Sequence, residues 1–384
     1  MDEGKKIRVA LLTDTIDGRK AKGTAVVARK SVEALLKVRD RFDLTYLHYE
    51  KNDDAIYGHD VRDVILPKFG WDFLNRRFAR LIYYFVTTED RYDIIQWFQA
   101  RLYPFFWLAP ARYIVATLHG AGDLTPDGRF ILSRFVFNWT TKLFNRKVSM
   151  VIAGSEYAKK DIVKKYGFEP AHVTAINFGV DASYKPVGEK SVEAVKQKYK
   201  LPEKFFLGMA RHIPTKNVSR TIEAFDRFCA ASKIKDMHFV HVGAEDNETP
   251  ALKQLIEKSL FKDRIHLVSY VEQRDLSSVY SAAYALVFPL LNEGFSLPPL
   301  EAMASGTPAV ISETAAPEIT EDDAVLVDPY DVNEIAVAMR ELAEKPERRD
   351  RYARAGFAKV QEFTWERMGD KLVLLYQKLM TGQQ

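Results

Sequence analysis

The chain runs to 384 residues, which at roughly 150 residues per domain is enough for two domains. Apolar residues make up 47% and charged residues 28%, a globular composition that excludes a largely disordered chain. Lys and Arg outnumber Asp and Glu by 56 to 52, and a net charge of +4 lacks the basic bias of a nucleic-acid binder, so no nucleic-acid partner is expected. Cys229 is the single cysteine and cannot form an internal disulfide.

The opening MDEGKKIRVALLTD has an apolar run too short for a signal-peptide core. No run approaches the roughly 18 apolar residues of a membrane-spanning helix. A cytoplasmic protein is expected, with peripheral contact at the inner face of a membrane as an open alternative. Residues 7–12 (IRVALL) read as a buried parallel strand, and 24–36 as a helix with Val27, Leu35 and Leu36 recurring among charges. Further strands are expected at 44–48, 94–97, 113–118 and 148–153, separated by helical stretches. Such alternation implies a doubly wound parallel sheet.

The pattern then restarts. Strands are expected at 205–209, 238–242, 265–268, 285–288, 309–311 and 325–327, with helices at 218–231, 251–258, 276–283 and 297–305. Residues 185–200, with Pro186, Gly188 and lysines at 185, 190, 196, 198 and 200, read as the join between the halves. The expected division is an N-terminal domain at 1–184, a C-terminal domain at 185–364 and a closing helix at 365–384. A polar helix around 348–362 precedes that last stretch, whose Met368, Leu372, Leu375 and Leu379 fall at helical spacing.

The most informative segment is 292–310, NEGFSLPPLEAMASGTPAV, which follows the strand at 285–288 as a ligand-binding loop should in an open α/β sheet. Ser296 suits an N-cap, Pro298 and Pro299 a first helical turn, and Gly306 with Pro308 a stop. A helix start directs N–H groups and a positive dipole end at an anion, here from Phe295, Ser296 and Leu297 beside Gly294. Glu293 lies just before that start and Glu301 just over one turn inside, leaning back toward it. The two carboxylates can grip hydroxyls on either side of a bound diphosphate. In MARHIPTKNVSR, Arg211 and Lys216 follow the strand at 205–209 and supply two cations to the same kind of group.

The 292–310 segment resembles the E-x7-E signature of the large retaining glycosyltransferase family 4, which includes bacterial mannosyltransferases, sucrose synthase and sucrose-phosphate synthase. The resemblance covers nearly the whole chain, most closely 205–327. It implies the GT-B fold: two facing Rossmann-like domains, with the nucleotide-sugar donor held mainly by the C-terminal one and the acceptor by the N-terminal one. Arg211 and Lys216 match the family's R-x(4–5)-K loop. His119, at the end of the strand at 113–118, matches a strand-end histidine that looks toward the donor sugar. Val271, in Ser269-Tyr270-Val271-Glu272, matches a place where the nucleotide base is read through backbone groups. Gly23 falls where the family has a compact Gly-Gly pair near the donor phosphates, although the loop here, DGRKAKGTA, is longer. Gly243, at another strand end, suits either a close approach to the donor or a plain turn.

Two stretches interleave cations with aromatics: 73–85, with Arg76, Arg77 and Arg80, and 135–147, with Trp139, Lys142, Arg146 and Lys147. Each fits a core-facing stripe with a solvated basic face, the favoured reading, or a helix lying on an anionic membrane. In the latter case a lipid-linked glycan acceptor follows. No metal-ligand pattern stands out, since no HExxH or cysteine cluster exists. No metal or other cofactor is therefore expected. The expected function is a retaining glycosyltransferase moving a hexose-type sugar from a UDP- or GDP-sugar to the hydroxyl of a carbohydrate or lipid-linked glycan, in bacterial polysaccharide or glycolipid assembly. The alternatives are an epimerase of the same fold and a non-catalytic nucleotide-sugar-binding protein.

Overall fold

In a computed structural model, which describes residues 6–17, 23–50, 55–57, 60–70, 77–98, 102–120, 131–291, 294–313 and 318–382, with the backbone alone at 131–134, each apolar run read as a strand forms one. The chain divides into two units, Met1–Phe178 with Trp365–Gln384, and Gly179–Thr364.

The first unit runs β1 (Ile7–Leu12), α1 (Gly23–Lys37), β2 (Phe42–His48), β3 (Arg62–Ile65), α2 (Arg77–Thr87), β4 (Tyr92–Trp97), β5 (Ala111–Leu118), α3 (Ile131–Phe144), β6 (Met150–Ala153), α4 (Glu156–Tyr166) and β7 (Val173–Ala175). Its seven strands lie parallel in the order β3-β2-β1-β4-β5-β6-β7. Val9 pairs with Leu44 on one side and Ile94 on the other, which is why β1 is apolar on both faces. Sequence reading does not find β3 or β7. They are the sheet's edges, four and three residues long, and β3 (RDVI) lacks an apolar run because its side chains are largely exposed.

In α2, Leu81, Tyr84 and Phe85 are buried, and so is Arg80. The Arg80 guanidinium donates from Nε to the Pro67 carbonyl (2.7 Å) and from Nη2 to those of Tyr49 (2.6 Å) and Leu66 (2.5 Å). This described part of the first basic-aromatic stretch is therefore a core stripe, and Arg80 is a buried loop anchor rather than a surface cation. Arg76 lies outside the described residues.

The second unit runs α5 (Glu189–Tyr199), β8 (Lys204–Met209), α6 (Val218–Ala231), β9 (Met237–Val242), α7 (Thr249–Lys258), β10 (Ile265–Val268), α8 (Leu276–Ala282), β11 (Ala285–Phe288), α9 (Leu297–Ala304), β12 (Ala309–Ser312), β13 (Val325–Val327), α10 (Val332–Glu344) and α11 (Pro346–Val360). Its six strands are parallel in the order β10-β9-β8-β11-β12-β13. The stretch read as a join contains α5, a correction to the linker reading. Val195 is buried on its inner face while lysines 190, 196 and 198 occupy the rest, so composition hid its periodicity. The division falls at 178/179, not at the expected 184/185. Tyr184 packs edge-on against Tyr280 (5.9 Å) in the second unit's core. Sequence reading also passes over α10, whose start is capped by Asp331 accepting from the amides of Asn333 and Glu334.

The last helix, α12 (Trp365–Thr381), belongs to the first unit, where Met368 and Gly369 meet Ser31 and Ala34 of α1 and the Tyr376 ring lies 5.9 Å from Phe42 of β2. The Tyr376 hydroxyl donates to Gln96 Oε1 (2.9 Å), and Gln96 Nε2 donates to the Trp97 carbonyl (2.9 Å) and Thr117 Oγ1 (3.0 Å). Both side chains are fully buried. Tyr376→Phe leaves the Gln96 oxygen without its donor, and urea unfolding is expected to show a loss of about 1–3 kcal/mol.

Candidate active site

Strand β8 comes first in the second unit. Its successor β9 lies on one side and β11 on the other, so the chain order reverses between β8 and β11. Past the carboxyl ends of such neighbours an open α/β sheet leaves a crevice. Arg211 and Lys216 lie in the loop leaving β8, and the loop leaving β11 leads to α9.

The β8 loop is fixed from behind. The Ala210 amide donates to the Val242 carbonyl (3.0 Å), and the Ala210 carbonyl accepts from His241 Nε2 (2.9 Å). A Cβ at Gly243 would stand 1.7 Å from that carbonyl oxygen, so the close approach of the chain to itself accounts for glycine there. His212 is buried, with Nδ1 2.8 Å from Thr249 Oγ1. Burial pushes both histidines below their usual value, His241 to about 4. Both are therefore neutral near neutral pH, and the loop's positive charge belongs to Arg211 and Lys216. The exposed Arg211 donates from Nη1 to Asp246 Oδ2 (3.1 Å), and half-buried Lys216 ends a short 3-10 turn, Pro214–Lys216.

Asn217 ties this loop to the other. Its backbone is left-handed (φ 57°), a conformation Asn tolerates better than most residues. Its buried Nδ2 donates to the carbonyls of Pro289 (2.8 Å) and Pro329 (2.7 Å), while Oδ1 accepts from Arg220 (3.0 Å). Alongside, the Leu291 amide donates to the Thr215 carbonyl (3.1 Å). The segment leaving β11 is thereby bound to the turn that carries Lys216.

Helix α9 begins at Leu297 with Ser296 at the N-cap, but the Ser296 side chain makes no capping hydrogen bond. Pro298 and Pro299 have no N–H, so the first turn offers one backbone donor, at Leu297, and further donors must come from 294–296. The helix stops at Gly306 (φ 78°), where the Thr307 hydroxyl donates to the Tyr280 carbonyl (2.6 Å). The Glu301 carboxylate accepts from the Tyr280 hydroxyl (2.7 Å) and is also hydrogen-bonded to the Tyr184 hydroxyl, which accepts from Gln273 Nε2 (2.9 Å). Burial raises the Glu301 carboxyl above its ordinary value, with the two tyrosines opposing the shift.

Of the remaining expected residues, Val271 lies in this unit with its side chain buried in the core. Glu293 lies outside the described residues. His119 and Gly23 belong to the first unit. His119 is half-buried at the end of β5 with its ring 5.5 Å from Phe178, and Gly23 opens α1 with open space where a Cβ would be. Sequence reasoning misses Asn217, Asp246, Tyr184 and Tyr280. Asn217 carries a local signal, an Asn between the lysine and a helix start; the others are brought in only by tertiary packing. Among the described residues, no group of three or more His, Cys, Asp or Glu side chains could hold a metal ion.

Two parallel-sheet, Rossmann-like units define a chain of the GT-B class. The family model for Glycosyltransferase Family 4 matches residues 21–184, and that for Glycosyl transferases group 1 matches 191–359. The chain belongs to glycosyltransferase family 4. It is 26% identical over 232 residues to O-antigen chain mannosyltransferase B of Escherichia coli, a match that takes in 60% of this chain and 61% of that relative. Sucrose-phosphate synthase from Thermosynechococcus elongatus shares the fold with a TM-score of 0.76 at 19% identity, over 98% of this chain and 100% of that one. HepE of Anabaena in complex with UDP and glucose does so with 0.76 at 18% identity, over 97% and 100%.

Two outcomes are expected here. Urea midpoints should fall in the order wild type, Asn217→Gly, Asn217→Ala. Gly loses only the side-chain bonds, about 1–3 kcal/mol, and Ala adds a left-handed penalty of about 1–2 kcal/mol. A carboxyl raised by folding adds stability below its ordinary value of 4.5 that is lost as pH climbs through the raised one. Glu301→Gln should accordingly melt with wild type near about pH 4 and above it near about pH 7.

Proposed function

We propose that the chain transfers a hexose-type sugar from a UDP- or GDP-sugar to the hydroxyl of a carbohydrate or lipid-linked glycan, with retention at the anomeric carbon. The observation that carries this reading is the junction at β8 and β11, where two cations and the approach to a helix start are bound together by Asn217 and the Leu291 amide. A relative named for mannosyl transfer to O-antigen chains and a structural neighbour holding UDP and glucose support a nucleotide-sugar donor and a glycan acceptor. Assembly of bacterial polysaccharide or glycolipid, in the cytoplasm, is the corresponding setting.

In this reading Arg211 and Lys216 hold the diphosphate oxygens, with the amides of Gly294, Phe295, Ser296 and Leu297 facing the same charge. Glu301 accepts from ribose hydroxyls and Glu293 from sugar hydroxyls. The backbone at Val271 meets the base, and Gly23 and Gly243 border the donor. His119 hydrogen-bonds the sugar. The bond from the anomeric carbon to the diphosphate oxygen breaks with its electron pair going to the diphosphate. The acceptor oxygen bonds to the same face of that carbon, and its proton passes to the departing phosphate. Negative charge on the diphosphate therefore grows along the reaction coordinate, and fixed cations stabilise the transition state more than the ground state. No metal or other cofactor enters the scheme.

Steady-state kinetics with UDP- and GDP-sugars test it. Arg211→Ala and Lys216→Ala are each expected to lower kcat/KM at least about tenfold, equivalent to about 1.4 kcal/mol for a lost charge-assisted contact. Unchanged kinetics in both variants would remove the diphosphate role.

A further inference from the structure

Helix α3 is inverted relative to an ordinary surface helix. Its inner face is set by buried Thr140 and Thr141 and by Phe137, whose ring lies 5.9 Å from Tyr103. Outward it presents Phe135 (65% exposed), Trp139 (55%) and Leu143 (57%). These recur every four residues and so form one stripe at about 100° per residue. Single exposed apolar residues need no explanation, but an aligned row of large ones marks an interaction site.

A further exposed aromatic ring lies off the end of the helix, beside its core-facing side. Trp107 stacks on Phe144 at 3.5 Å, which fastens the short turn Phe106–Leu108 beside the end of α3. At its edge Phe105 is left-handed (φ 68°), and its ring is exposed next to Trp107. Left-handed backbone in a bulky residue whose ring stays largely exposed points to a use for that ring.

The charge around the row selects its partner. Residues 131–147 contain no Asp or Glu, and Lys142, Arg146 and Lys147 are exposed. At helical spacing Lys142 falls at the edge of the apolar stripe, where a long side chain can lay its methylenes along apolar surface and keep its ammonium in a polar layer. Among the described residues of 135–147 the apolar row is accompanied by cations and no carboxylate, which matches a bilayer surface carrying anionic headgroups. We propose that the outer face of α3 is a peripheral membrane-docking face for anionic lipid. This goes beyond the donor-site reading and is independent of which sugar is transferred.

The test is co-sedimentation of the full chain with vesicles of phosphatidylcholine alone and of phosphatidylcholine with phosphatidylglycerol in equal parts. Wild type should bind the second and not the first. The double variant Phe135→Ser with Trp139→Ser, and separately Lys142→Glu with Arg146→Glu, should each weaken binding at least about tenfold. Both variants should keep the wild-type melting temperature and nucleoside diphosphate affinity. Trp139→Phe should keep binding but lose the blue-shifted fluorescence that wild type gains on vesicles. Three results would overturn the proposal. These are failure of wild type to bind anionic vesicles, undiminished binding by both variants, and a wild-type dimer in light scattering that the Phe135→Ser and Trp139→Ser double variant dissolves.

Discussion

The junction between the loops leaving β8 and β11 depends on one side-chain amide. Asn217 is held left-handed so that Nδ2 can donate to two carbonyls from different loops, those of Pro289 and Pro329, while Oδ1 takes Arg220. The conformation alone is unfavourable by about 1 kcal/mol or more, and three hydrogen bonds in a buried place offset it. What this secures is geometry. Strands β8 and β11 already emerge side by side, and Asn217 converts that proximity into a fixed relation between the cationic turn and the segment running toward α9.

Around that constraint the electrostatics are simple. His212 and His241 are neutral through burial, so they set the loop's shape without adding charge. Arg211 is turned onto Asp246 in an exposed pair, which is weak enough for a diphosphate to compete with. The two prolines of α9 remove donors from the first turn, so the backbone N–H groups near the helix start belong mostly to the loop ahead of it. Glu301 is held by two tyrosine hydroxyls, so its direction is set by α8 and by the segment at Tyr184 as well as by its own helix.

Much of this was legible in the sequence where the signal is local. Apolar runs such as IRVALL and ALVF identify central parallel strands because both faces are buried, and Ser296 to Pro308 carries its own start and stop. Legibility failed where composition opposes pattern or where contacts are distant. The lysines of α5 disguised a helix, and the exposed side chains of β3 disguised a strand. Arg80 counts as a surface charge until three carbonyls are found around it. Phe135, Trp139 and Leu143 fit a core stripe by spacing, and only the fold shows that they face outward. Tyr280 reaches Glu301 across 21 residues of chain, a pairing no local motif encodes.

The central claim is that the junction at β8 and β11 recognises the diphosphate itself. Isothermal titration of UDP and GDP against uridine and guanosine tests it directly. For the cognate base, two charge-assisted contacts should make the diphosphate bind at least about a hundredfold tighter than its nucleoside. That ratio should collapse when Arg211 and Lys216 are both alanine. A ratio near one in the wild type, or one that survives the double substitution, would contradict the account.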